Sequence, residues 1–164
     1  MSITQRLGKK TIYGWVLTKK DETMPVDAQV LQPLDFFKDM TQSELEEFGS
    51  LLNARTVTKR DIIIRKGTSA LTFFVILSGS FELSFENGRS ITIDQRGEIM
   101  GWSTVVYPFS YTGTVTALTD GDVLSISSRD FFQLIQANNV LGEKIMKKIN
   151  KIAMERRAHL SGSE

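Results

Sequence analysis

The sequence predicts a mainly β chain with flanking α: an eight-stranded antiparallel β-roll, jelly-roll-like (a double-stranded β-helix), with an N-terminal helix before it and a long C-terminal helix after it. Three observations predict this. Apolar residues recur at three- and four-residue spacings up to residue 52 and again after residue 128, which is helical periodicity. Between them, short β-rich runs alternate with turn residues at roughly 8–12-residue intervals, the texture of an antiparallel sandwich or roll. The chain has 164 residues, 41% hydrophobic and 24% charged, which suits one domain with one core.

Taken in order, residues 1–30 read as an N-terminal extension. They mix charge with one apolar patch, Ile12-Tyr13-Gly14-Trp15-Val16-Leu17, which suits a strand or a segment that finds a partner surface. Leu34, Phe36, Phe37, Met40, Leu45, Phe48, Leu51 and Leu52 then follow helical spacings. Thr41 or Ser43 is the expected N-cap, with Glu44, Glu46 and Glu47 in the first turn where the helix dipole favours anions. That helix is expected to end near Asn53.

Eight strands are expected over Arg55–Thr58, Asp61–Arg65, Thr72–Leu77, Phe81–Phe85, Ser90–Ile93, Ile99–Trp102, Thr112–Leu118 and Val123–Ser127. Turns at Lys66-Gly67, Ser78-Gly79, Asn87-Gly88, Arg96-Gly97 and Asp120-Gly121 separate them, and Asn87-Gly88 is a hairpin signature. Helix resumes with Ser128 as cap before Phe131, Phe132, Leu134 and Ile135. A long helix follows from about Asn139 to Leu160. Its positions Ile145, Ile149 and Ile152 step by four and then three, and Arg156 and His159 continue the stripe in polar form. The organisation is extension 1–30, roll 31–137, and C-terminal helix and tail 138–164.

Composition removes whole classes of chemistry. Without cysteine there are no disulfides, thiolate metal sites or cysteine nucleophiles. A single histidine, His159, cannot build a histidine metal centre. No metal ligand and no catalytic residue is therefore assigned, and the chain is not expected to be an enzyme. A cupin-type enzyme, the rival on a similar roll, needs two or three converging histidines. Net charge is +1, so the chain is no general sponge for nucleic acid. No apolar run of about 18 residues and no signal-peptide pattern occurs, so a cytoplasmic setting is expected.

The local sequence is more particular than the layout. Ile63-Ile64-Arg65-Lys66-Gly67-Thr68-Ser69-Ala70, followed by Phe73-Phe74-Val75-Ile76 and Gly79, resembles the first signature of the cyclic-nucleotide-binding-domain family. Leu71 departs from it, since that pattern usually avoids leucine there. Phe131-Phe132-Gln133-Leu134-Ile135-Gln136-Ala137-Asn138 looks like the short helix before the family's dimer helix. The resemblance spans roughly residues 33–158 and implies a stand-alone effector-type module, bacterial in appearance, without a helix-turn-helix reader. Direct nucleic-acid binding and membrane insertion are not expected.

In the family, a Gly-Glu pair opens a short helix at the cyclic phosphate, and the glutamate takes the ribose hydroxyl. About ten residues later an arginine, followed by a small residue, pairs with the phosphate. The matching stretch here is Gly101-Trp102-Ser103 and then Tyr111-Thr112-Gly113. The glycine and small hydroxyl residue survive as Gly101 and Thr112. The carboxylate has become Trp102 and the guanidinium Tyr111. Shifting the register to Gly97-Glu98 recovers no arginine, so Glu98 is read as part of the turn entering strand Ile99–Trp102. Each lost charged partner costs on the order of 2–5 kcal/mol at a buried anion.

The resemblance thus implies a regulatory or sensor module with an altered phosphate cassette, signalling through its C-terminal helix to a partner protein or a second copy. No cofactor is expected. A cyclic nucleotide, or another small planar ligand stacking on Trp102 and bonded by the Tyr111 and Thr112 hydroxyls, is expected to bind weakly or not at all. The alternative is a ligand-free interaction domain with a plugged pocket. Arg156 and Arg157 are the candidate long-helix contacts to that pocket, or simply a solvated basic end. Ile145, Ile149 and Ile152 form the expected homodimer seam.

Overall fold

Eight antiparallel strands in two four-stranded sheets make up the roll in the computed structural model, which describes residues 25–161. They are β1 (Asn53–Val57), β2 (Ile62–Ile64), β3 (Thr72–Ser78), β4 (Phe81–Ser84), β5 (Ser90–Ile93), β6 (Ile99–Met100), β7 (Thr114–Ala117) and β8 (Gly121–Ser127). One sheet has the order β1-β8-β3-β6 and the other β2-β7-β4-β5. Every paired neighbour comes from a distant part of the chain except β4 and β5, which the Asn87-Gly88 turn joins in the register Phe81↔Ile93 to Ser84↔Ser90. Gly88 takes φ +87° there, and Arg89 N–H donates to the Asn87 side chain.

Among the described residues, four helices flank the roll: α1 (Ala28–Leu31), α2 (Gln42–Gly49), α3 (Ser128–Ala137) and α4 (Asn139–Ser161). Single 3-10 turns lie at Asp35–Phe37 and Trp102–Thr104. At the start of α2, Glu44 N–H donates to the Thr41 hydroxyl and Thr41 N–H to the Glu44 carboxylate, a reciprocal capping box. β3 is buried at five consecutive positions, Phe73 to Leu77, because the opposite sheet covers one face and helices cover the other. The helical side is an aromatic cluster. Phe48 sits 5.1 Å from Phe37 and 5.8 Å from Phe131, which in turn sits 4.6 Å from Phe73.

Several expectations shift. The short strands Ile62–Ile64, Ile99–Met100 and Thr114–Ala117 are trimmed relative to the sequence reading, because strand character stops where the ladder partner ends. α2 ends at Gly49 rather than near Asn53, and Asn53 is already in β1. The cap of α3 is Ser127, whose hydroxyl accepts from Asp130 N–H, and Ser128 is the first helical residue. The boundary between residues 30 and 31 falls inside α1, whose Ala28 and Leu31 are both buried against the roll. The Ile12–Leu17 patch and the side chain of His159 lie outside the described residues.

The expected dimer seam is corrected. Ile145 and Ile149 are fully buried within one chain, in line with Leu141 and Ala153, and Ile152 is half-buried. These positions step by four along one face, and that face is buried in the chain's own core. Polar residues beside the stripe fasten it. Lys144 Nζ pairs with Glu44 at 2.8 Å and donates to the Asp39 carbonyl, and Lys148 pairs with Asp39 at 3.2 Å. Each buried isoleucine contributes about 1.5–3 kcal/mol, which favours the folded-back position over one projecting into solvent. Gly142 permits the tight α3–α4 corner, since a Cβ there would collide with the Ile135 carbonyl.

Candidate functional site

β6 ends at Met100, and the chain must then turn sharply beside β3. Gly101 makes that turn at φ +87°, and a Cβ there would lie 2.8 Å from the Thr72 carbonyl oxygen. Both the left-handed backbone and the close approach require glycine. Gly101 opens the Trp102–Thr104 turn, and the Thr104 hydroxyl donates back to the Gly101 carbonyl at 2.9 Å. The turn aims Trp102 inward, where its side chain is 4% exposed and its indole N–H has no hydrogen-bond partner.

Arg156 descends from α4 onto the same place. It is 8% exposed, and its Nη1 donates to the Ile99 carbonyl at 2.6 Å. Its Nη2 lies 3.6 Å from a Glu98 carboxylate oxygen, and its guanidinium carbon lies 5.6 Å from the centre of the Trp102 ring. Burial pulls the Arg156 guanidinium below its ordinary range, and Glu98 opposes that pull. An arginine stays charged regardless, so the cation is held by a carbonyl, a carboxylate and a π face.

Tyr111 closes the site from the other side. Its hydroxyl donates to the Thr72 carbonyl at 2.7 Å and accepts from the Thr72 N–H at 3.1 Å. Its backbone accepts from Gly67 N–H and donates to the Thr68 carbonyl, which pins it against the β2–β3 connection. Burial raises the phenol above its ordinary value, and its backbone partners oppose the rise. Gly113 leaves room for the Phe85 ring, whose nearest carbon would stand 2.7 Å from an added Cβ.

What remains among Trp102, Ser103, Tyr111, Thr112, Gly113 and Arg156 is a cavity of about 20 Å³. That is room for about one water, far below the several hundred Å³ that enclose a drug-sized ligand. Gly101, Trp102, Ser103, Tyr111, Thr112 and Gly113 do come together, as their spacing suggested. Two readings change. The Tyr111 hydroxyl is committed to Thr72 as both donor and acceptor, so it has no donor left for a ligand. Arg156 is buried in the site and is no solvated helix end, whereas Arg157 is exposed. The role of Glu98 as partner of Arg156 had no signature in sequence beyond its place in a turn.

A second, larger groove of about 590 Å³ runs between α4 and the β5–β6 connection, bounded by Phe36, Gln95, Glu98, Lys151, Ile152 and Arg156. Among the described residues, no three His, Cys, Asp or Glu side chains are grouped to hold a metal. No helix of the described residues is long and apolar enough to cross a membrane.

Comparison with known proteins places the chain. No curated protein matches it at a significant level. Among solved structures it is similar to a protein from Geobacter metallireducens GS-15 assigned to cyclic nucleotide binding (20% identity, 80% of this chain and 98% of that one, TM-score 0.73). It is also similar to the sensor domain of the transcriptional regulator DNR from Pseudomonas aeruginosa (17% identity, 80% of this chain and 96% of that one, TM-score 0.63). A third is the regulatory subunit of a cAMP-independent protein kinase A from Trypanosoma brucei (19% identity, 80% of this chain and 44% of that one, TM-score 0.64). At such identities the likeness concerns the fold. The family model for the cyclic nucleotide-binding domain matches residues 54–138, just over half of the chain, and the chain belongs to the cyclic nucleotide-binding domain family.

Proposed function

We propose that this chain is a regulatory module whose ligand site is filled by its own side chains, and that it signals through the position of α4. The observation that carries this reading is the Trp102–Arg156 stack. The buried indole and the guanidinium from α4 face each other at 5.6 Å, and the space left beside them is about 20 Å³, room for about one water.

Opening that latch changes what the chain presents. Lifting Arg156 from Ile99 and Glu98 exposes the C-terminal end of α4 and the β6 edge together, giving a partner protein or a second copy a different surface, while Leu141, Ile145 and Ile149 keep the rest of the helix seated. The contacts at that end are local and few, so a partner that binds the lifted state better shifts the balance by its difference in affinity for the two states. One fold neighbour is itself described as cAMP-independent, so this architecture is compatible with regulation that does not depend on cyclic AMP.

Calorimetry with cyclic AMP and cyclic GMP tests the reading. Affinity is expected to be no tighter than about 0.1 mM, given the missing glutamate and arginine and the occupied volume. Micromolar binding of either nucleotide, displacing Trp102 or Arg156, would overturn it.

A further inference from the structure

One face of the molecule takes no part in the latch. Tyr107, Phe109, Phe132 and Leu71 are 79%, 43%, 37% and 63% exposed, and they are contiguous. The Tyr107 and Phe109 ring centres are 6.1 Å apart and those of Phe109 and Phe132 are 5.9 Å apart. Leu71 joins them through the backbone: Ala70 N–H donates to the Phe109 carbonyl and Ser128 N–H to the Leu71 carbonyl.

This display is maintained against local preference. Phe109 has φ +65°, in the left-handed region that a bulky residue avoids. Hydrogen bonds on both sides hold it there, from its own N–H to the Val106 carbonyl and from Ala70 N–H to its carbonyl. A strained backbone that keeps an aromatic ring on the surface points to a use for that ring.

We propose that this aromatic face is the seat of the chain's own segment Ile12-Tyr13-Gly14-Trp15-Val16-Leu17. Size argues for a short occupant. At roughly 150–250 Å² per whole aromatic side chain, the exposed portions offer about 400 Å². A standard interface needs about 800 Å² on each partner, so the face is small for a second copy and suits about five or six residues. The segment supplies the matching chemistry, with Tyr13 and Trp15 among aliphatic neighbours. Arg129, one turn before Phe132 on α3 and exposed, stands ready for the Asp21-Glu22 pair that follows.

The described chain begins beside the helical side of the roll, where Val26 N–H is bonded to the Gly49 carbonyl and the neighbouring Phe48 ring is 5.8 Å from Phe131 of α3. The eight residues from Thr18 to Pro25 form a tether of up to about 27 Å when extended. A tether of this length gives an effective concentration in the millimolar range, so a weak contact is still populated.

Hydroxyl-radical footprinting of the full chain tests this, with mass spectrometry reading Tyr107, Phe109 and Phe132 separately. In the double variant Trp15→Ser, Val16→Ser, labelling of Tyr107 and Phe132 is expected to rise at least threefold, while Met154, exposed elsewhere on α4, keeps its rate. Equal labelling of Tyr107 in the two proteins overturns the proposal. Protection that disappears on dilution also overturns it, because the occupant is then a second copy. The reciprocal variant Tyr107→Ser, checked for an unchanged circular dichroism spectrum, is expected to raise acrylamide quenching of Trp15 about threefold. The Trp15→Phe protein supplies the contribution of Trp102. Unchanged quenching in Tyr107→Ser overturns the proposal as well.

Discussion

The guanidinium of Arg156 lies over the indole of Trp102, 5.6 Å from the ring centre, and joins α4 to the turn that follows β6. Arg156 also donates to the Ile99 carbonyl and faces Glu98, so a single side chain ties α4 to β6 and to the turn before it. Replacing it by alanine removes all three contacts and leaves a buried carbonyl unpaired. The expected loss is on the order of 2–3 kcal/mol, reduced because Glu98 is 35% exposed and partly screened. Arg156→Lys should recover only part, since an ammonium cannot reproduce the fork and the stack together. Thermal unfolding gives the stability, and hydrogen exchange of the last two turns of α4 gives the position of the helix. Unchanged exchange in Arg156→Ala would remove the latch.

Tyr111→Phe separates a structural hydroxyl from a ligand-binding one. The variant strands the Thr72 N–H and carbonyl, which the phenol satisfies together. A cost of about 1–3 kcal/mol is expected in urea titration. Binding of any small molecule should be unaffected. A Tyr111→Phe protein of full stability would show that Thr72 finds other partners.

Ile149→Asp distinguishes a core residue from a seam residue. Ile149 is fully buried on the chain's own roll, so a carboxylate there is desolvated without a partner. The expected cost exceeds about 3 kcal/mol and is seen as loss of the cooperative melt. If light scattering instead showed a dimeric wild type turning into a well-folded monomeric variant, Ile149 would belong to a seam after all.

Acid should loosen α4 at its N-terminal half. The hydrogen bond from Lys144, helped by the Thr41 backbone and by both charges, holds the Glu44 carboxyl below its ordinary value of 4.5, against the desolvation that raises it. A carboxylate with a lowered folded value contributes stability that is complete above its unfolded value and is lost as pH falls through the folded one. The Glu44 contribution is therefore intact at neutral pH and disappears below about pH 4.5. Glu44→Gln should flatten the melting temperature in that window and lower it at pH 7. An unchanged acid profile in Glu44→Gln would assign the effect to other carboxylates.

Much of the architecture was legible residue by residue. The order of helix, eight strands and two helices follows from periodicity, and Asn87-Gly88 marks the β4–β5 hairpin because its left-handed turn is a local preference. The Thr41–Glu44 capping box is local in the same way. The identities of Trp102 and Tyr111 were visible as well, because they are read from the chain directly. Strand ends were less legible at β2, β6 and β7, where pairing with a remote partner sets where the ladder stops.

The roll and its turns are therefore written locally in the chain, as are the aromatic residues at 102 and 111. What covers the apolar face of α4 is set by the assembled fold. A four-and-three spacing states that one face is apolar, and it is the same whether a second helix or the chain's own sheet lies against it. The chain's own core lies against it, so Ile145 and Ile149 are buried without a second copy. Only the tertiary structure brought Ile99, Glu98 and Trp102 to Arg156, turning a polar residue near the end of a helix into the piece that fills the site. Desolvation and partner geometry belong to the assembled fold, and no local spacing encodes them.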